Sequence, residues 1–446
     1  MSTPVINAID NVNQTSLETL FSSIAADPTA RDNLSQSDRN IDKVSTNVGL
    51  IEELNANEEA IRKLLCRREG RDPANFADLD SVAADQGLMQ AIAARQESSK
   101  ILARSQKAAA AAASSQTAMQ EVAASQTAMQ EVAPSQTAMQ EVALSQTAMQ
   151  EVAPSQTSMQ EVALSQTAMQ EVATSQTAMD AIGNSATART EVYASSTAMS
   201  EIRPVDQAIA KLTAGEAGQD ASSYPDMATL AADASAMQDV AASQTAMQEV
   251  ALSQTAMQEV AASQTAMQEV TSSQTAMQEV ALSQTAMQEV AASQTAMQEV
   301  SPSQTAMQEV TSSQTAMQEV ATSQTAMQEI GLSQTAQTEI ENSNTAVTVL
   351  NSESTSFNAF YNASGGIDER EVIPETDENY AVYIKEANYT GFDGTSVSSR
   401  GWYDTDDNYL GKDIDEVFVD TLTIGWNTGG TGFSADLSGS IQALIL

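Results

Sequence analysis

The chain has 446 residues and a formal net charge of −40, from 59 acidic against 19 basic side chains. That balance excludes nucleic acid and anionic membranes as partners, because each phosphate contact needs a Lys or Arg. The absence of His removes Ser–His and Cys–His nucleophiles and His-ligated metals, and with aromatics at only 4% of residues an aromatic-rich core is confined to the stretch after Gly365.

Residues 1–57 mix polar and apolar positions and are expected to be helical in part, as in "NVGLIEELNANEEAIRKLL". The start, "MSTPVINAIDNVNQTS", has neither a basic n-region nor an apolar h-region, so synthesis in the cytoplasm without a signal peptide is expected. No window approaches the eighteen or so apolar residues of a membrane span, so no membrane insertion is expected. Cys66 stands alone, so no intrachain disulfide forms.

Two related modules follow. "AIRKLLCRREGRDPANFADLDSVAADQGLMQAIA" from Ala60 and "AIAKLTAGEAGQDASSYPDMATLAADASAMQDVA" from Ala208 align without a gap at an offset of 148. Each reads as a helix with a Gly-containing stop, a loop and a short helix, giving helical knobs at 58–88 and 204–236. The first carries Arg62, Lys63, Arg67, Arg68 and Arg71, where the second has Ala210, Lys211, Gly215, Glu216 and Gln219. A purely structural need would have kept similar charges in both copies, so the five basic residues are candidates for docking on an acidic partner. The alternative is pairing with Glu52, Glu53, Glu58 and Glu59 on neighbouring turns.

Behind each knob runs an array of the decad S-Q-T-A-M-Q-E-V-A-x, over 89–203 and 237–364. Ala, Met, Gln and Glu favour helix. Met and Val recur at spacings of three and seven, as in a coiled coil. Met119, Val122, Met129 and Val132, with Met247, Val250, Met257 and Val260, are the expected core. Ten residues fall roughly 80° short of three helical turns, so the helices must overwind or break in each repeat. Pro134, Pro154 and Pro302 at the last decad position favour a break. Two helical turns per decad are expected, with a strained or extended joint around x-Ser-Gln, Ser as a good N-cap and then Thr-Ala-Met-Gln fitting a T-x-x-Q capping box. Because ten residues are too few to fold back over their own stripe, the sequence points to parallel chains in register, a mainly α homotrimeric stalk. At roughly 1.5 Å per residue the second array alone would span about 190 Å, its decad number setting a reach.

"SQTAMQEVAxSQTAMQEVA" resembles the decapeptide stalks, often S-x-T-A-M-x-x-V, of fibre proteins of tailed viruses, over about half the chain. The acidic balance and the seven lysines resemble proteins of halophilic archaea and their viruses. The resemblance implies a homotrimeric tail fibre. Its N-terminus would sit on a tail or baseplate protein, and its C-terminus would face a host glycan or glycoprotein.

From residue 365 the pattern becomes β: "YAVYIKEANYTGF" alternates, "EVFVDTLTIGW" is strand-like, and "NTGGTGF" is a Gly-rich turn. Trp402, Tyr403, Tyr409 and Trp426 are candidates for stacking on sugars, or else the core of a small β head. "DTDDNYLGKDIDE" offers Asp404, Asp406, Asp407, Asp413 and Asp415 as oxygen ligands for Ca²⁺. It departs from the EF-hand loop at Tyr409, where that loop needs Gly. No other cofactor is suggested and nothing marks a catalytic carboxylate pair, so a non-enzymatic fibre is expected. A cellular surface adhesin and a head fibre or decoration appendage are the alternatives.

Overall fold

The computed structural model describes the backbone of residues 22–24, 26, 27, 29, 30, 48–55 and 57–364, and strands out to residue 444; side chains are described to residue 354, less a few before 57, and at Tyr383. One decad makes one helix. In the repeat opening at Ser115, that residue is extended (φ −106°, ψ 116°) and its Oγ accepts from the Ala118 amide; helix Gln116–Ala124 follows and ends at an equally extended Ser125. Ser therefore serves as N-cap in repeat after repeat, and the expected T-x-x-Q box does not form. The joint lies where the sequence places it. Before Pro134, Pro154 and Pro302 the helix stops earlier, as in Gln126–Val132, Gln146–Val152 and Gln294–Val300, since proline supplies no amide for another helical bond.

The extended Ser turns the chain, and after three such turns it has come back on itself. Gln116–Ala124 packs against Gln86–Ala94 and Gln146–Val152, each three helices away, and this pattern recurs through both arrays. Each array winds as a helical solenoid whose coil holds three decads and a fraction. Ala118, Met119, Val122 and Ala123 are at most 2% exposed within this one chain. Met129, Val132, Met247, Val250, Met257 and Val260 are likewise buried.

These positions correct the expected assembly. The Met–Val stripe is covered by neighbouring coils of the same chain, and among the described residues no continuous coiled coil exists. Ten residues cannot shelter their own apolar face, but thirty-odd can, and burying each Met or Val is worth about 1.5–3 kcal/mol. The expected reach changes too. Residues 237–353 make fewer than four coils, and helices pack about 8–10 Å apart, so this stack rises by about 35 Å instead of 190 Å.

Two hydrogen-bond systems fasten successive coils. Ser155 Oγ donates to the Ala123 carbonyl at 2.7 Å, a step of 32 residues repeated down both arrays. On the surface, Gln116 and Gln120 both donate to Glu151 Oε1, at 3.0 and 3.5 Å. The same Gln–Glu ladder links later coils.

The first helix of each knob keeps the buried pattern of the decad. Ala60, Ile61 and Leu64 in Glu58–Arg68, and Ala208, Ile209 and Leu212 in Asp206–Glu216, are buried at the Ala, Met and Val places of the decad. Gly70 (φ 70°) and Gly218 (φ 83°) end these helices in the left-handed region. The following amides of Arg71 and Gln219 return to the Cys66 and Ala214 carbonyls, the Schellman arrangement that favours glycine. The offset of 148 also continues upstream: Leu50, Ile51 and Leu54 of helix Val48–Asn55 are buried and fall opposite Ala198, Met199 and Ile202.

The chain divides into two compact units, Met1–Asp226 and Met227–Leu446. In the second, helical winding ends with Asn344–Glu353. Phe357 and Phe360, inside the span 237–364 expected to be decads, lie instead in strand β1 (Thr355–Ser364). Then come β2 (Asp368–Ile373), β3 (Val382–Gly391), β4 (Val397–Tyr403), β5 (Tyr409–Gly411), β6 (Asp413–Val419), β7 (Leu422–Thr428) and β8 (Ser434–Leu444). They pair in two antiparallel sheets of order β1-β8-β3-β6 and β2-β7-β4-β5. Tyr383 of β3 is fully buried and its hydroxyl is 3.1 Å from Asn351 Oδ1 on the last helix.

Candidate functional site

A solenoid of equal decads offers a uniform surface, so departures from the repeat are the informative places. One such cluster is in Ser175–Asn184, where Asp180, Ala181 and Gly183 replace the usual Gln, Glu and Ala, and Asn184 takes the variable place. Three of these residues receive the second knob. Helix Asp206–Glu216 approaches Gln176–Gly183 so closely that a Cβ on Gly215 would sit 1.8 Å from the Gly183 carbonyl oxygen. A Cβ on Gly183 would lie 2.4 Å from the Ala221 Cβ. Lys211 is completely buried; its ammonium pairs with Asp180 and donates to the Ala221 carbonyl at 3.3 Å. Asn184 closes the contact, accepting from the Ala221 amide at 2.8 Å and donating to Asp220 Oδ1 at 2.9 Å.

Ala181 has a different consequence. By the ladder spacings of 35 and 31 residues, Gln146 and Gln150 should both reach residue 181, which has no carboxylate. In its place is an open groove of about 530 Å³, bounded by Gln146, Gln150, Pro154, Asp180, Asn184 and Asp220. Hydrogen bonds from Ser222 Oγ, then Asn184, hold the Asp220 carboxyl below its usual pKa, so it is ionised at neutral pH. The ladder lapses again where Gln314 would meet residue 349, a valine, and a groove of about 350 Å³ lies there.

The basic residues of the first knob have varied positions. Arg62 donates to the carbonyls of Pro73 and Phe76, fastening the loop after its own helix. Lys63 pairs with Glu59 at 2.9 Å, the neighbouring-turn arrangement weighed from sequence, and Arg68 lies 3.5 Å from Glu97. Arg67 is half-buried and Arg71 exposed. Cys66 is buried beneath them, and burial pushes its thiol up to about 11, well away from nucleophilic use.

The four candidate aromatics fall in one sheet: Trp402 and Tyr403 on β4, Tyr409 on β5 and Trp426 on β7. Trp402 is paired with Ile424, Tyr403 with Tyr409, and Trp426 with Arg400. Of the candidate cation ligands, Asp404, Asp406 and Asp407 lie outside the described residues, while Asp413 and Asp415 sit on β6 opposite Asn388 and Glu386. Among the described residues no helix is long and apolar enough to cross a membrane.

Sequence reading missed the second knob's seat and the groove beside it. The signal was available, because Asp180, Ala181 and Gly183 depart from the decad word. No protein-family model matches the chain, and no curated protein matches it.

Proposed function

We propose that the chain is a structural fibre protein of a virion infecting a halophilic archaeal host. The N-terminal region attaches to a tail or baseplate protein, with the exposed Arg71 of the first knob at that contact. The solenoid is the spacer. The strands beyond Thr355 form the head that meets a surface glycan or glycoprotein through Trp402, Tyr403, Tyr409 and Trp426. The observation carrying this reading is the near-interchangeability of the coils: the same Ser–carbonyl and Gln–Glu bonds recur along both arrays, so coil number chiefly sets length. The homotrimer is assigned to the two ends, since the Met–Val stripe is already covered within one chain. The acidic ladder, with no Lys or Arg between Lys211 and Arg370, keeps such a spacer hydrated in strong salt.

Antibody against residues 365–446, imaged on purified particles, tests the assignment. Label at the distal tip of a tail appendage is expected. Label on the capsid would make the chain a head fibre, and label on uninfected cells alone would make it an adhesin.

A further inference from the structure

The geometry points to the groove at Ala181 as a binding site for a neutral polyhydroxylated ligand, a mono- or disaccharide. Elsewhere, a Gln at the second decad position and another at the sixth converge on one Glu oxygen, as Gln116 and Gln120 do on Glu151. Gln146 and Gln150 keep that arrangement of residues but face Ala181, so two amides converge on open space. Each carboxamide can donate and accept, the combination a hydroxyl demands.

The opposite wall supplies the complementary acceptor. Asp220 Oδ1 takes bonds from Asn184 Nδ2, Ser222 N and Ser222 Oγ, leaving Oδ2 open among the described residues to accept an O–H. Met149, Ala153, Pro154 and Ala181 provide an apolar floor for the C–H face of a ring. A volume of about 530 Å³ lies within the roughly 300–1,000 Å³ usual for small-molecule sites.

Charge decides against an anion filling the vacated Glu place. Asp180 and Asp220 both border the groove and no Lys or Arg is among its lining residues; Lys211, which pairs with Asp180, is itself buried. A neutral ligand that donates to carboxylate and both donates to and accepts from amides suits these walls. The groove at Val349 has amides and hydroxyls but no carboxylate among its lining residues, so it serves as an internal contrast. The inference is independent of the fibre reading: particle labelling and sugar binding can each fail alone.

The test is saturation-transfer NMR on the full chain with glucose, galactose, mannose and N-acetylglucosamine and their disaccharides, with acetate and glycine as anionic and zwitterionic probes. At least one sugar is expected to bind saturably, with Kd on the order of millimolar, where about 4 kcal/mol of binding free energy lies. Ala181→Glu restores the decad word, gives Gln146 and Gln150 their ladder partner and fills the groove. It should weaken binding at least tenfold while leaving the thermal unfolding midpoint unchanged or raised, so lost binding is not lost folding. Asp220→Asn should weaken binding less. The proposal is overturned if no sugar saturates the wild-type chain, if Ala181→Glu binds as well as wild type, or if acetate or glycine competes more strongly than every sugar.

Discussion

Ser263 Oγ donates to the Ala231 carbonyl at 2.7 Å, one coil back, while accepting the Ala266 amide at 3.2 Å from the first turn of its own helix. One hydroxyl thus caps two helix ends at once, an N-terminus in front and a C-terminus behind. A carboxylate can do only the first, as Asp85 does for the Leu88 amide at 2.8 Å. Ser263→Ala should cost about 1–3 kcal/mol, the sum of a cap and a partly buried hydrogen bond. Ser263→Asp, a good cap in an isolated helix, should be no better than Ala here, because it sets an anion against a carbonyl oxygen. Urea unfolding of the three proteins checks this, and full retention of stability by Asp would remove the role given to the step between coils.

Equality of coils predicts tolerance of whole-decad deletion, but only inside an array. Removing residues 264–273 moves Gln274–Leu282 onto Ala234–Ala242, which keeps the buried Ala236, Met237, Val240 and Ala241, and the next two helices onto unchanged decad words, so circular dichroism and protease resistance should stay close to wild type. Removing residues 186–195 shifts the second knob by one decad. Helix Asp206–Glu216 would then face Gln170 and Ala173 in place of Asp180 and Gly183. Buried Lys211 would lose its partner, a change costing about 3–5 kcal/mol, and Gly215 would meet a Cβ. Selective loss of structure before Asp226 is the expected result of limited proteolysis.

The ten-residue period, the helical character, the joint at Ser and the helix-stopping prolines were all legible, because each follows from a local preference. Closure into a solenoid was not. It depends on the direction in which each extended Ser turns the chain, and a residue pattern carries no such angle. A clue was present in Ala118 and Ala123: four adjoining apolar positions per decad, not two, make a face wide enough to need cover from both neighbouring coils. The seat of the second knob was legible as departures from the repeat, but its partners Lys211, Gly215 and Ala221 lie too far along the chain for local spacing to join them.

The Gly183–Gly215 approach should be far less tolerant than the turn at Gly70. Gly215→Ala would drive a Cβ into backbone 1.8 Å away, which no rotamer change relieves, and a loss of more than about 3 kcal/mol is expected. Gly70→Ala meets nothing within 4 Å and bears only the strain of its φ of 70°, about 1–2 kcal/mol. Thermal unfolding should rank them in that order. Equal losses would mean that the two helices separate easily.

Cys66 provides a built-in probe of the first knob. Its thiol is fully buried and pushed up to about 11, by loss of solvation first and by nearby Asp85 and Asp72 next, with Arg62 opposing. Labelling by a thiol reagent at pH 8 should therefore wait for the helix Glu58–Arg68 to open. Releasing the loop that Arg62 holds, through Arg62→Ala, should raise the labelling rate at least tenfold. Equal rates would mean that Arg62 does not limit access.

The ladder makes stability depend on salt. Glu279, Glu309 and Glu339 each accept a Gln amide from the preceding coil, and no Lys or Arg lies between Lys211 and Arg370 to offset them. Carboxylates on successive coils about 8–10 Å apart repel across a Debye length of about 10 Å at 0.1 M salt, but one of about 3 Å at 1 M. Raising NaCl from 0.1 to 1 M should lift the unfolding midpoint of the second unit by about 5–10 °C. Salt also strengthens apolar burial, so the two causes must be separated. Replacing Glu279, Glu309 and Glu339 together by Gln removes charge without touching the buried Met, Val and Ala. That variant should unfold at a higher temperature than wild type in low salt and respond less to added NaCl. An unchanged salt response would assign the effect to the apolar core and not to the ladder.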